Sequence, residues 1–428
     1  MPLHTMRVAI LASVVLAWSF VAVGPAAGSL EAMSAHAWTI SSDRGPATTP
    51  LVAVALRGDI YVIPAGGGAP RRLTTYGLNS SPVLSSDGRH VAYLSPSQRY
   101  LVNGTGTTHG VWIVPTDGPP DGSAARKITQ SNPAIDRGDL AWSPNGRLLA
   151  YYDGASITTS TADGTHRSVV LHMRTPFHSA TGASTIAWSP NSRRVAILAS
   201  APGSHTPSIM VADTAGKETT VTITFPSRSP GAAVIGPELA WSVDGRSLTF
   251  DTVTIGEAGG QITGIWRVPA SGGVAHLLIG QSVYSRPLAK ESGGVGVTVI
   301  PSLEGATTFA VAPDGRYIVT NPAHVPAGNQ PVAYRLWLLD ENGTHGRALA
   351  GAPSCALTQF AWLPLTAALA YVTECPSTTT GTMVARLNSV TVHGAPPREL
   401  YALAYTAGKR GTPFNSIDLA PEARPLGA

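Results

Sequence analysis

Charged residues are scarce in this sequence, and the few that occur do not cluster. Only 13% of the 428 residues are Asp, Glu, Lys or Arg, and the formal net charge is +4. The densest basic groups are pairs such as Arg71-Arg72 and Arg193-Arg194. Because a nucleic-acid footprint needs basic residues clustered on one face, we predict no nucleic-acid partner. We interpret the pairs as solvated strand ends.

Linear catalytic motifs are also missing. The sequence has no G-x-S-x-G nucleophile turn, no histidine followed by glutamate, and no G-K-[ST] phosphate loop. These absences exclude the signatures of α/β-hydrolases, HExxH zinc proteases and P-loop proteins. The sequence therefore predicts no catalytic residue from a linear motif, and no cofactor.

Two weak metal-binding patterns are interpreted as structural. His166, His172 and His178 recur every six residues, but one extended strand would hold them too far apart to share an ion. The stretch from Asp340 to Gly343 looks like the start of a calcium loop but lacks the distal bidentate acid. We predict a turn at that stretch and no metal site.

Cysteine occurs only twice, at Cys355 and Cys375, and no C-x-x-C redox pair exists. The residues between them predict a hairpin, with strands at 359–362 and 368–373 and a turn around Leu365. Position 365 is midway between the two cysteines. In antiparallel register the cysteines would face each other, so we predict a structural disulfide.

One long apolar run lies near the N-terminus, from Val8 to Val23. It follows Arg7 and precedes the small residues of Ala26 to Gly28. A basic residue, an apolar run and small residues are typical of a secretory signal. We predict a signal peptide over residues 1–28, with 35–37 as a second cleavage candidate and an uncleaved membrane anchor as the alternative. The sequence thus predicts export to the periplasm, the cell envelope or the medium.

Glycine and proline are abundant, with 45 and 35 copies, as expected of a turn-rich fold. The stretch from Leu140 to Tyr151 is an example. An apolar run ends in Trp, Ser-Pro-Asn-Gly follows, and a second apolar run begins at once. Pro presets φ, Asn tolerates left-handed geometry and Gly takes positive φ, so the stretch predicts a β-hairpin.

This pattern recurs, and each copy of the first strand with its turn is called a strand–turn motif. The six motifs span Ser81–Arg89, Asp139–Arg147, Thr185–Arg193, Glu238–Arg246, Thr308–Arg316 and, in degenerate form, Gln359–Ala367. An apolar strand follows each one. Their turn positions are separated by 46 to 70 residues. Four-stranded propeller blades recur at roughly 40–50 residues, with insertions placed in loops.

The sequence therefore predicts an all-β fold, a β-propeller of four-stranded antiparallel blades. Six strand–turn motifs and a first unit at Leu51 that lacks one indicate seven blades, with six or eight as alternatives. We expect the segment from Asn415 to Leu419 to supply the strand that the first unit lacks, which would close the ring. The expected boundaries are a lead-in at 29–50, the propeller at 51–420 and a C-terminal tail at 421–428.

The motifs at 139–147 and 308–316 resemble the W-S-P-D-G-R-x-[IL]-A-[YF] repeat of TolB-type, WD-like β-propellers. The resemblance covers about Leu51 to Leu419 and implies the propeller fold. It implies little about function, since similar propellers include an envelope scaffold, gating domains of prolyl-oligopeptidase-type peptidases and bacterial surface proteins. Two departures are expected: no α/β domain before Leu51, and no α/β-hydrolase domain after Leu419.

Two sets of residues in the strand–turn motifs invite a functional interpretation. The motif tryptophans are Trp142, Trp188, Trp241 and Trp362, and their shared repeat position predicts packing between blades. The residues that open the motifs are all polar: Ser81, Asp139, Thr185, Glu238, Thr308 and Gln359. If the first strand of each motif is innermost, this second set, here called the mouth ring, lines one mouth of the central channel. The carboxylates of Asp139 and Glu238 would then attract a cation or a basic peptide. The alternative is that these positions are polar only because the starts of the strands are exposed to solvent.

These observations favour a monomeric, non-enzymatic binding or scaffold propeller that holds a protein, peptide or glycan at the cell envelope. The alternative is a propeller enzyme, a hydrolase or lyase, with its site in the central channel. Such a site would combine single residues from different blades and leave no linear motif.

Overall fold

A computed structural model shows a protein built from β-strands. It describes residues 40–41, 51–96, 109–129, 140–153, 156–172, 186–200, 207–226, 234–256, 259–280, 309–312, 315–320, 323–324, 333–344, 346–351, 355–362, 367–377 and 382–406. Every regular element in these ranges is a strand. No segment within them is therefore a helix long and apolar enough to cross a bilayer. The predicted signal region, residues 1–28, lies outside the described ranges.

The first four sheets each use four strands that are consecutive in the chain. The first contains β1 (Ile40–Ser41), β2 (Leu51–Leu56), β3 (Asp59–Pro64) and β4 (Arg71–Arg72). The second contains β5 (Ser80–Leu84), β6 (His90–Pro96), β7 (His109–Pro115) and β8 (Arg126–Lys127). The third contains β9 (Leu140–Trp142), β10 (Leu149–Tyr152), β11 (Ser156–Ser160) and β12 (Arg167–His172). The fourth contains β13 (Ile186–Trp188), β14 (Arg194–Ser200), β15 (Pro207–Asp213) and β16 (Glu218–Val221).

The remaining strands form three more sheets and one short parallel pair. Next in the chain are β17 (Ile223–Thr224), β18 (Val234–Trp241), β19 (Ser247–Gly256), β20 (Gly259–Pro269), β21 (Gly273–Val274) and β22 (His276–Gly280). The fifth sheet is β18-β19-β20-β22, while β17 pairs in parallel with β21. The sixth contains β23 (Phe309–Val311), β24 (Tyr317–Thr320), β25 (Ala323–His324), β26 (Ala333–Asp340) and β27 (Arg347–Gly351). The seventh contains β28 (Ala356–Trp362), β29 (Ala368–Pro376), β30 (Thr382–Thr391) and β31 (Arg398–Thr406).

The turn of a strand–turn motif is fixed by its own side chains, as the turn between β9 and β10 shows. Ser143 Oγ donates a hydrogen bond to Asn145 Oδ1 (2.8 Å), and the Arg147 N–H donates to the same oxygen (3.1 Å). The Leu148 N–H donates to Ser143 Oγ (3.0 Å). Gly146 takes a φ of 72°, which glycine adopts without steric cost. The Ser-x-Asn-Gly pattern thus dictates where the first strand ends and the second begins.

The core consists of apolar clusters between neighbouring sheets. Leu149, Ala150 and Tyr151 on β10 have no exposed surface. Leu149 and Tyr151 belong to the cluster shared with the second sheet, whereas Ala150 belongs to the cluster shared with the fourth. A strand covered on both faces is apolar along its whole length, which explains the continuous apolar runs in the sequence.

These clusters run in a circle. Successive clusters join sheets one and two, two and three, and so on through sheets six and seven. A further cluster joins the seventh sheet to the first, with Val52 and Val54 packed among Val372, Leu387 and Leu400. The fold is therefore a β-propeller. Seven sheets are described, and the blade number of the complete chain stays a prediction because residues 281–308 and 407–428 lie outside the described ranges.

The edge of the first sheet differs from the prediction. The strand next to β2 at this edge is β1 (Ile40–Ser41). It pairs antiparallel with β2, Ile40 with Val52 and Ser41 with Leu51. This strand comes from the region assigned to the lead-in, and the segment from Asn415 to Leu419 lies outside the described residues. A strand close in sequence needs little loop-closure entropy to pair, which favours the local strand in this position.

The predicted disulfide joins Cys355 and Cys375. Next to the cysteines, Ala356 of β28 pairs with Glu374 of β29. Nearer the turn the pairing is offset by one residue, so that Trp362 pairs with Leu369. A one-residue bulge before Gln359 produces this shift. Without the bulge Cys355 would face position 376, so the irregularity in β28 brings the two cysteines opposite each other.

Candidate functional site

The first strands of the strand–turn motifs form the inner wall of the propeller. Strands β5, β9, β13, β18 and β23 begin their sheets, and each contacts the next one in this series. Strands such as β8, β12 and β16 lie at the opposite edges of their sheets. The condition for a channel-lining mouth ring, an innermost first strand, is therefore met in these five sheets.

The motif tryptophans link neighbouring inner strands, as predicted. The Trp142 indole N–H donates to the Val83 carbonyl (3.0 Å), and that of Trp188 donates to the Ala141 carbonyl (2.8 Å). Trp241 and Trp362 make the same bond to Ala187 (3.0 Å) and Ala310 (3.1 Å). All four indoles are buried. Their role is to join blades, and ligand stacking is not needed to explain them.

The motif turns also contact each other, at the end of the inner strands that lies opposite the mouth ring. Ser86 Oγ donates to the Ser143 carbonyl (3.0 Å), and the Asn145 N–H donates to Ser192 Oγ (3.1 Å). The guanidinium of Arg194 donates to the Gly245 carbonyl (2.8 Å) and lies 4.6 Å from the centre of the Trp241 ring. This end of the wall is therefore tied together by direct bonds between sheets.

Regular pairing of the inner strands is interrupted at Ser81 and Glu238, and directly before Gln359, the three mouth-ring positions that the structure describes. The strand register shifts between Ser80 and Val83 in the second sheet, between Ile235 and Leu239 in the fifth, and between Leu357 and Gln359 in the seventh. Ser81 and Glu238 lie inside these irregular segments, and Gln359 borders one. Bulges re-aim side chains and are frequent next to binding sites.

Ser81 shows the most unusual backbone of the ring. It is half-buried and has a φ of 50°, a value that only Arg57 and Ser192 approach among the described non-glycine residues. A left-handed serine costs about 1–3 kcal/mol, and such strain is concentrated at functional sites. Pro82 follows directly, so the strained residue is held by a rigid neighbour.

The structure describes the mouth ring only in part. It gives the surroundings of Ser81, and for Glu238 and Gln359 it gives the backbone, inside β18 and β28. Asp139, Thr185 and Thr308 lie outside the described residues. The convergence of all six side chains on one mouth stays a prediction.

The titratable groups of the motif turns serve the turns themselves. Asp244 accepts hydrogen bonds from Ser242 Oγ (2.6 Å) and the Arg246 N–H (3.0 Å), and these bonds lower the pKa of its carboxyl. Burial lowers the pKa of His90, whose ring stacks on that of Trp142 with the ring centres 6.2 Å apart. Both side chains therefore have structural partners.

The described residues contain no group of three or more His, Cys, Asp or Glu side chains arranged to hold a metal. His166 precedes β12 and His172 ends it, while His178 lies outside the described part. Asp340 accepts bonds from the N–H groups of Asn342 (3.1 Å) and Thr344 (2.7 Å), which makes this stretch the predicted turn.

Sequence reasoning missed two features. The bulges at the mouth ring carry no sequence signal of their own, although Ser-Pro at 81–82 breaks the apolar pattern of β5. A partly buried ion pair between Asp59 and Arg72 (2.5 Å) was also missed, since the two residues are 13 positions apart and match no motif.

Comparisons with known proteins bear on the fold alone. No protein-family model and no curated protein matches this sequence. A prolyl endopeptidase structure aligns with a TM-score of 0.50 and 11% identity, covering 89% of this chain and 52% of that one. This chain therefore spans about half of that protein's length. Together with the circle of sheets, the likeness defines the class as a β-propeller.

Two further structures are similar at lower scores. A putative TolB from Agrobacterium tumefaciens aligns with a TM-score of 0.38 and 18% identity, covering 64% of this chain and 83% of that one. The β-propeller domain of the Trilobed protease from Pyrococcus furiosus aligns with a TM-score of 0.47 and 10% identity, covering 85% and 95%. Membership of the TolB-type family stays a prediction.

Proposed function

We propose that this protein is an exported β-propeller that binds a protein, peptide or glycan at the mouth ring and acts without chemistry on it. The observation that carries the proposal is the interrupted strand register at Ser81 and Glu238, with a further interruption directly before Gln359. Backbone groups and polar side chains that leave a regular ladder can meet a ligand instead.

The two acids of the ring define the chemistry of the ligand. Asp139 directly precedes the first strand of the third sheet, Thr185 directly precedes that of the fourth, and Glu238 lies on the first strand of the fifth. Two carboxylates at a channel mouth raise the local concentration of cationic groups. The favoured ligand is therefore a basic segment of a protein or peptide.

Export is the second part of the proposal. The basic residue, apolar run and small residues of positions 7–28 support it, and so does the Cys355–Cys375 disulfide, because such bonds persist in oxidising compartments. A cell-envelope location and a monomeric state complete the proposal. Fractionation of producing cells and sizing of the purified protein test these two points.

The binding proposal is tested with a fluorescein-labelled lysine-rich peptide and the Asp139→Ala/Glu238→Ala double variant. We expect the wild-type protein to bind the peptide at low salt and the variant to bind at least about tenfold more weakly. A matched control is Asp163→Ala/Asp244→Ala, which removes the same charge from two exposed turns. This control should bind like wild type.

Three outcomes contradict the proposal. If both double variants bind the peptide equally weakly, binding depends only on the net charge of the protein. No loss in the Asp139→Ala/Glu238→Ala variant would remove the ring as the site. Turnover of the peptide, seen by mass spectrometry and lost in the ring variant, would instead favour the hydrolase alternative.

A further inference from the structure

A second candidate surface lies on the loop between β4 and β5, which leads into the ring residue Ser81. The loop runs from Thr74 to Asn79 and is called the 74–79 loop. Its two end residues are buried, but Tyr76 is 41% exposed and Leu78 is 50% exposed. Tyr76 is the single aromatic residue among the large apolar side chains exposed in the described part. An exposed tyrosine and leucine on one loop need an explanation.

Hydrogen bonds fix both ends and the middle of this loop. Thr74 Oγ1 accepts from the Ile60 N–H (2.9 Å) and from Asn79 Nδ2 (2.9 Å). The Gly77 N–H donates to Asp59 Oδ1 (2.9 Å), and the Asn79 N–H donates to the Gly58 carbonyl (2.6 Å). The loop conformation is therefore set by polar groups of the loop and of β3, without help from Tyr76 or Leu78.

Close packing against the β2–β3 turn restricts the loop further. A Cβ placed on Gly58 would lie 2.1 Å from the Gly77 carbonyl oxygen, so only glycine fits at this point. Gly58 also has a φ of 72°. The turn and the loop thus form one rigid unit that presents Tyr76 and Leu78 to solvent.

Such a unit has the properties of a preformed contact surface. Its backbone is ordered before any partner arrives, so binding loses little loop entropy. Tyrosine and arginine are among the residue types that dominate binding energy at protein interfaces. Arg57, beside Gly58 in the turn, is exposed and has a φ of 54°, so an exposed cation accompanies the two apolar side chains.

The charges around the loop indicate the kind of partner. Arg57 and Arg71 are exposed, whereas the Asp59 carboxylate is buried and paired with Arg72. Asp121 is an exposed acid next to the loop, where its backbone carbonyl accepts a bond from Thr75 Oγ1 (3.1 Å), so two exposed cations accompany one exposed acid. We propose that the 74–79 loop and Arg57 bind a peptide segment of a partner protein that combines apolar side chains with carboxylates. This surface adjoins the mouth ring at Ser81 but uses different residues from the ring acids, which favour a basic ligand.

The experiment measures fluorescence anisotropy of labelled short peptides with the purified full-length protein. In the first peptide Leu or Phe alternates with Glu; in the second Lys replaces Glu; in the third Ser replaces Leu and Phe. Any binding of the second, lysine-containing peptide should depend on the mouth ring and be lost in Asp139→Ala/Glu238→Ala. We expect the 74–79 loop to bind the first peptide only. Tyr76→Ala/Leu78→Ala should weaken that binding at least about tenfold, because the apolar anchors are lost. Arg57→Gln should weaken binding of the first peptide more at low salt than at high salt, because salt screens the charge in the wild-type protein.

Val169→Ala is the matched control, since Val169 is as exposed as Tyr76 but lies on β12. It should bind like wild type, and all variants should keep the wild-type thermal midpoint. The proposal fails if Tyr76→Ala/Leu78→Ala binds the first peptide as tightly as wild type does, or if wild type binds none of the peptides. It also fails if the loop is needed instead for binding to vesicles of anionic phospholipid.

Discussion

The indole N–H of Trp142 donates a hydrogen bond to the carbonyl of Val83, which lies 59 positions earlier and in the neighbouring sheet. The same bond recurs at three other tryptophans, each one reaching the preceding sheet. In the second sheet Leu84 takes the tryptophan position, and in the sixth Val311 does. The repeat therefore encodes contacts between sheets as well as turns.

We expect Trp142→Phe to lower the free energy of unfolding by about 2 kcal/mol, because the Val83 carbonyl would lose a buried partner and a smaller ring would fill the space. Urea unfolding followed by circular dichroism measures the effect. Tyr76→Phe, a change at an exposed aromatic residue, is the control and should leave the midpoint unchanged. If the two variants unfold alike, the indole bond adds nothing to stability.

Removal of the disulfide should cost about 3 kcal/mol, as expected for a loop of this length, with a sequence separation of 20. The variant is Cys355→Ala/Cys375→Ala. A reductant should lower the urea midpoint of wild type towards that of the variant, and should leave the variant unaffected. If the reductant leaves the urea midpoint of the wild-type protein unchanged, the disulfide does not stabilise the fold.

Sequence reasoning succeeded where the determining physics is local. Ser143, Asn145 and Gly146 form their turn through bonds within a few residues, so the pattern can be read without knowing the fold. The cysteine pair was also predictable from its spacing. That argument assumed a regular ladder, whereas the ladder reaches the cysteines through a bulge before Gln359.

Sequence reasoning failed where the outcome depends on which strand meets which. No residue of Ile40–Ser41 marks it as the partner of β2, and its position depends on the edge that β2 offers. The bulge around Ser81 depends equally on how β5 fits β6. The mouth ring stays a prediction from the sequence, and the irregular backbone at Ser81 and Glu238 could not be predicted.

Gly146→Ala should destabilise the protein by more than Gly77→Ala does. Both glycines have similar positive φ values, 72° and 77°, so both substitutions introduce backbone strain of about 1–2 kcal/mol. A Cβ on Gly146 would also lie 3.2 Å from Asp87 Cγ, in the turn between β5 and β6 of the preceding sheet. A Cβ on Gly77 would meet nothing within 4 Å. If both variants lose the same free energy of unfolding in urea, the Asp87 side chain can move away from the new Cβ at little cost.

Asp59→Asn should lower the free energy of unfolding by about 2 kcal/mol, since it removes the charge that pairs with Arg72 and places an amide among donors. The 74–79 loop should loosen as a result. Limited chymotrypsin digestion, which cuts after Tyr76 and Leu78, should then be faster than in wild type. Asp117→Asn, at an exposed position between β7 and β8, is the control for both measurements.

Alkaline conditions should destabilise the fold between about pH 10 and pH 12. Burial raises the pKa of Tyr151 and of Tyr371 to about 12. The unfolded chain, whose tyrosines ionise near pH 10, therefore releases protons that the folded protein keeps, and stability falls as pH rises through this window. Urea midpoints measured across the window test the sign. The Tyr371→Phe variant should lose less stability over the same pH range.

Each described sheet is made from one continuous stretch of chain. During synthesis, sheets two to six can therefore assemble in the order in which they emerge. The first sheet is different, because Val52 and Val54 pack against residues 370–400 of the seventh. This contact cannot form until most of the chain has been made. The face of the first sheet that meets the seventh is thus the last sheet surface to be buried, and until then it is open to association with other chains.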